Sequence, residues 1–216
     1  MENNKEEMIK ELGTPATLWE GLRCVTIIGQ IEGHQILPED TKTTKYEHLM
    51  PLLVSMEEDP AVKAVLFLVN TAGGDVDAGL GLAELIAGMS KPTASLVLGG
   101  SHSIGVPLAV AAKRSFISPT AAMTVHPVRL TGLVIGTEET YNYFAMIEER
   151  ILNFVASHSD ISREKLRCLM HGSKNMANDV GTVLAGREAV EAGIIDAVGT
   201  LGDALGYLRG EIGKGS

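Results

Sequence analysis

Apolar positions along this chain fall into two spacings that alternate. Val25-Thr26-Ile27-Ile28 is a run of β-forming side chains closed by Gly29, and it predicts a buried strand. Leu49, Leu52, Leu53 and Met56 recur at helical spacing and predict a helix over 46–58, with Pro60 just beyond it. From Ala64 to Val69 every residue is apolar, the pattern of a strand covered on both faces. A turn at 70–74 then leads into a helix that gathers Val76, Leu80, Ala83 and Ile86 or Ala87 on one side. Pro92 precedes a strand at 94–98, and a second Gly-bearing corner at 99–105 opens an apolar helix at 106–112. Met123-Thr124-Val125 is a short strand that His126-Pro127 ends.

Strands and helices in this order predict an α/β fold of repeated ββα or βαβ units, with a single domain over 21–210. Residues 1–20 are polar and read as a flexible arm, and 130–136 as a loop or edge strand. Thr137 can cap a long helix running to about His158, with Glu138 and Glu139 in its favourable first turn. Tyr141, Phe144, Ile147, Ile151 and Phe154 form its apolar stripe. Such a stripe predicts core; on a long helix of a small domain it also predicts an oligomer contact. Ser162 should cap a further helix to Met170, residues 171–183 read as irregular, and Gly193 can end a short helix at 187–192.

Composition narrows the partners. The chain has 216 residues, 45 % of them hydrophobic and 4 % aromatic, so aliphatic side chains must fill its core. A net charge of −9 with no basic cluster argues against nucleic acid. No apolar run approaches the ~18 residues of a membrane span, and the acidic start lacks a secretory apolar segment, so a cytoplasmic location is expected. Cys24 and Cys168 read as two free thiols. No cofactor or metal is implied, because the histidines show no ligand spacing with an acidic third partner.

Candidate chemistry sits at the two corners. The first N–H groups of a helix have no internal partner and can bind developing negative charge, while Gly lets backbone approach closely. Ser103 lies at the second corner, as the serine of a strand-turn-helix nucleophile elbow does. Read by itself, such a serine corner is a weak signal, and a helix N-cap is the simpler reading of Ser103. A serine needs a base. Of six histidines, His126 stands at a strand end where its ring can reach a neighbouring corner. His102 adjoins Ser103, points to the opposite side and reads as a structural or pocket residue. His34, His48, His158 and His171 read as surface residues.

Several segments resemble the proteolytic subunit of the Clp protease, ClpP. Val25 to Ile31 is similar to its first strand and turn, and Asn70-Thr71-Ala72-Gly73-Gly74 to its Asn-Ser-Pro-Gly-Gly. Ser103-Ile104-Gly105 matches its Ser-Met-Gly, and Met123 to Pro127 resembles its Met-Ile-His-Gln-Pro. Glu188 to Asp196 looks like its closing Glu-Ala-x-x-x-Gly-Leu-Ile-Asp, and the order of all five is the same over about residues 22–200. The resemblance implies a ClpP/crotonase-like spiral of ββα units with the 137–158 helix protruding as a handle. It also implies a homo-oligomer of stacked heptameric rings, a heptamer or tetradecamer, with an AAA+ ATPase as partner. Ser103 would be the nucleophile of a serine endopeptidase acting on peptides or unfolded proteins, and His126 its base. The N–H groups of Gly74 and Ile104 would form the oxyanion hole.

The match departs at the third triad member. The family's Asp stands four residues before a Ser-Ala pair, which corresponds here to Gly181, in a segment longer than usual. Asp179, with Asn178 beside it, is the nearest acid. The pattern is similar to the branch that includes translocation-enhancing proteins of the TepA type. An inactive, peptide-binding ring is the competing reading. A crotonase-type acyl-CoA enzyme would need carboxylates at the corners, where only Asp75 stands, and a Ser-Lys peptidase would leave His126 without a role.

Overall fold

The computed structural model describes residues 21–129, 136–172 and 180–214. The arm expected at 1–20, most of the loop expected at 130–136, and Asp179 lie outside the described residues. Eight strands form one sheet: β1 (Leu22–Glu32), β2 (Thr43–Lys45), β3 (Ala64–Gly74), β4 (Thr93–His102), β5 (Arg114–Ile117), β6 (Ala122–Val125), β7 (Thr182–Ala185) and β8 (Ala197–Val198). The main path runs β2-β1-β3-β4-β5-β8 with every neighbouring pair parallel. β6 joins β4 in parallel and β7 antiparallel. This is the α/β arrangement that the strand–helix alternation predicts.

The continuous apolar run of β3 is explained by cover on both faces. Val65, Phe67 and Val69 pack with Leu53, Leu82 and Ile86 in the main core. Leu53 belongs to α1 (Tyr46–Glu58), and Leu82 and Ile86 to α2 (Val76–Ala87). Leu66 faces the other way, with Leu22, Leu96 and Phe116, onto Ala204 and Leu208 of the C-terminal α7 (Leu201–Lys214). Between α2 and α7 the chain adds α3 (Gly105–Val110), α4 (Glu138–Ser157), α5 (Arg163–Met170) and α6 (Gly186–Ala192).

The structure redraws several boundaries. Gly29 does not end β1. It sits at φ +79 in an irregularity of the β1–β3 ladder, after which Gln30 pairs with Gly73 and Ile31 with Gly74. A Cβ at Gly29 would lie 2.1 Å from the Lys42 carbonyl oxygen, so only glycine lets β2's approach pass so close. That pairing also keeps 70–74, expected as a turn, in the strand. β4 likewise extends to His102, and α3 begins and ends earlier than expected. All six residues of α3 are buried, leaving no polar face from which periodicity could place its ends. β2, β5, β7 and β8 are four residues or fewer, and their pairing is non-local. β7 begins inside the stretch expected to be irregular, at Thr182.

Thr137 caps α4 as expected, accepting the Thr140 N–H at 3.3 Å. Its expected stripe divides. Ile147 and Phe154 are buried, Phe144 and Ile151 are half-buried, and Tyr141 is 74 % exposed. Thus the C-terminal half of α4 packs on the core while Tyr141, Tyr143 and Met146 face outward. Ion pairs hold the packed half: Glu149 joins both Arg163 and Arg167 of α5, and Arg150 meets Asp77 of α2 at 2.8 Å.

Candidate active site

The site exists because β4 changes neighbour along its length. Ala94–Val97 pair with β5, whereas Gly100, Ser101 and His102 pair with Ala122, Met123 and Thr124 of β6. Two parallel strands in register end side by side, so Ser103 leaves β4 where Val125 and His126 leave β6. A helix start follows one strand and Pro127 the other.

Ser103 is held in a costly conformation. Its φ is +57, and among the described residues it is the one non-glycine with positive φ. Such a residue stores on the order of 1–3 kcal/mol of strain, which surrounding bonds must sustain. Its N–H donates to the Thr124 carbonyl at 2.8 Å, and its carbonyl accepts the Val106 N–H at 3.0 Å. Those two bonds fix the elbow between β6 and α3.

The end of β3 closes the third side. Asp75 donates its N–H to the Ile31 carbonyl at 3.0 Å, and Gly74 is the residue registered with Ile31. Contact is close: a Cβ on Gly73 would lie 2.7 Å from Ser103 Cβ and 3.4 Å from its Oγ. Ile104 follows Ser103 at the start of α3, its side chain 1 % exposed and wedged over Gly79.

Ser103, His126 and Gly74 line one cavity of about 150 Å³, walled by Val76, Val106, Val155, Leu166 and Met170 among others. Helices α2, α3, α4 and α5 each supply part of this apolar wall. The His126 ring places Nδ1 2.7 Å from the Pro127 carbonyl oxygen. His102 is not among the residues lining the cavity, and its Nδ1 lies 2.8 Å from Thr124 Oγ1. Burial first, and then the nearby His126 charge, hold the His102 pKa below the ordinary imidazole value.

The position corresponding to the acid of the resembled family is Gly181. Gly181 directly precedes β7, whose first residue, Thr182, pairs with Val125 at the end of β6. A glycine offers no carboxylate there, and its N–H donates to the Gly172 carbonyl at 2.5 Å. Asp179 lies outside the described residues. Thr124, which anchors both Ser103 and His102, was not singled out by sequence reading. Its importance comes from the β4–β6 register, and no local pattern encodes that.

The translocation-enhancing protein TepA of Halalkalibacterium halodurans is 51 % identical over 211 residues, covering 96 % of this chain and 82 % of that protein. An ATP-dependent Clp protease proteolytic subunit 1 of Chlamydia muridarum is 26 % identical over 140 residues, 62 % of this chain and 69 % of its own length. A putative protease of Methanocaldococcus jannaschii is 27 % identical over 212 residues, covering 82 % of this chain and 65 % of that protein. With the Clp protease family's sequence pattern matched over residues 20–201, the chain belongs to the Clp protease family and is of the TepA-like type.

Proposed function

We propose that the chain is a serine endopeptidase that cleaves peptides or unfolded proteins, with Ser103 as nucleophile and His126 as base. The observation that carries this reading is the strained Ser103 elbow, lining one apolar cavity with His126 and Gly74. Ser103 Oγ attacks the peptide carbonyl carbon while its proton passes to His126 Nε2. The carbonyl oxygen becomes an oxyanion held by the N–H groups of Gly74 and Ile104, where one donor is worth about 3 kcal/mol. As the C–N bond breaks, His126 returns the proton to the leaving amine. Water, deprotonated by the same imidazole, then releases the acyl group and restores Ser103. The apolar wall suits an aliphatic substrate side chain beside the scissile bond.

The enzyme works as a homo-oligomeric ring, heptameric or doubled, in the cytoplasm, and an AAA+ ATPase feeds it. The outward Tyr141, Tyr143 and Met146 on α4 support an assembly contact, since large apolar side chains grouped on two helical turns mark an interface. No described helix is long and apolar enough to cross a membrane. The second reading, a peptide-binding ring without hydrolysis, is favoured by one observation, a glycine at 181 next to the Val125–Thr182 pair. Incubating the assembled protein with an unfolded substrate separates the two. Peptide fragments that disappear in Ser103→Ala support the peptidase, and an intact substrate supports the binding ring.

A further inference from the structure

The His126 ring raises a question that the peptidase reading alone leaves open: what orients it. A base of this kind needs its Nδ1 proton fixed so that the Nε2 lone pair faces the serine, and a buried carboxylate usually does this. We infer that the Pro127 carbonyl does it here, so that the site is a Ser103–His126 dyad steered by its own backbone. The inference rests on the peptidase reading for its catalytic meaning, and on geometry for the rest.

A carbonyl oxygen can only accept. Its position 2.7 Å from Nδ1 therefore requires the proton on Nδ1 and leaves Nε2 as the acceptor, which is the tautomer a general base needs. The bond is short for N–H···O and spans one residue, so its geometry depends on few torsions. One of those, the φ of Pro127, is locked by the ring. Gly181, next to the Val125–Thr182 pair that ends the β6–β7 ladder, commits its N–H to Gly172. Pro127 lines the cavity beside His126, and through its carbonyl it acts as a positioning residue for the ring. A neutral carbonyl holds the ring as a carboxylate does, yet brings no full negative charge to meet the imidazolium. Such a site turns over more slowly than a full triad.

The test weakens one acceptor and leaves every side chain in place. Val128 in the full-length assembled protein is replaced by its α-hydroxy analogue, which turns the Pro127 carbonyl from an amide into an ester, a poorer acceptor. Two quantities are read: the rate at which a fluorophosphonate labels Ser103, and the His126 tautomer by 15N NMR. We expect a labelling rate about 5- to 10-fold lower, the worth of one neutral hydrogen bond. Alongside it, a single Nδ1–H tautomer in the unmodified protein should become mixed in the ester. An unchanged rate with an unchanged tautomer overturns the inference, as does an unmodified protein that carries its proton on Nε2. Complete failure of the unmodified protein to label would sink the peptidase reading instead, and the tautomer measurement would still decide whether this carbonyl holds the ring.

Discussion

The N–H of Ser103 donates to the carbonyl of Thr124 at 2.8 Å, which ties the strained serine to the strand that His126 directly follows. Through that bond the positions of two side chains distant in sequence become one geometric fact. The strain at φ +57 is sustained by this bond and by the turn into α3.

Ser103→Gly should therefore stabilise the fold while abolishing serine labelling. Glycine accepts the left-handed backbone without penalty, so a gain of about 1 kcal/mol is expected in denaturant unfolding. Ser103→Ala should lose labelling equally and gain nothing, because its Cβ keeps the strain.

Gly73→Ala should be far more damaging than its size implies. Its φ is +95, and the added methyl would sit 2.7 Å from Ser103 Cβ. We expect a loss of roughly 2 kcal/mol or more together with loss of labelling, although Ser103 and His126 both remain. Gly81→Ala is the control, since a Cβ there meets nothing within 4 Å and lies in α2. It should stabilise by about 1 kcal/mol. Comparing the two unfolding curves checks both.

Acid should destabilise the protein through His102. Its pKa is depressed in the folded state from the ordinary 6.5, by burial and then by the His126 charge. Above that value both states are neutral and stability is complete. As pH falls below it, the unfolded chain binds the proton first, and stability declines until the folded pKa is passed. His102→Asn should flatten this decline in thermal melts taken between neutral and acidic pH. An unchanged slope would assign the decline to another group.

Tyr141→Asp combined with Met146→Asp should dissolve the assembly and leave the subunit folded. Both side chains are more than half exposed, so their charge costs the monomer little. Sedimentation velocity should show a ring for the unmodified protein and a folded monomer for the double variant.

Much of this was legible in the chain. The unbroken apolar run at Ala64–Val69 and the spacing of Leu49, Leu53 and Met56 marked elements whose burial is set by local pattern. Thr137 and Ser162 announced their helices through cap chemistry. What stayed hidden depends on register. Gly29 reads locally as a terminator, yet β1 continues because β3 offers Gly73 and Gly74 to pair with. β7 is invisible until β6 lies beside it. The same holds at the site: Ser103 at a corner and His126 at a strand end could be named as residue types, while Thr124, whose carbonyl holds the Ser103 N–H, could not. The partner of His126 Nδ1 is one residue away, yet only side-chain geometry reveals it.

The most direct test is mass-spectrometric mapping of a fluorophosphonate adduct on the assembled protein. One covalent adduct on Ser103 is predicted, absent in His126→Ala. An unlabelled Ser103 in a correctly assembled ring, or an adduct that survives removal of the imidazole, would contradict the proposed nucleophile and base.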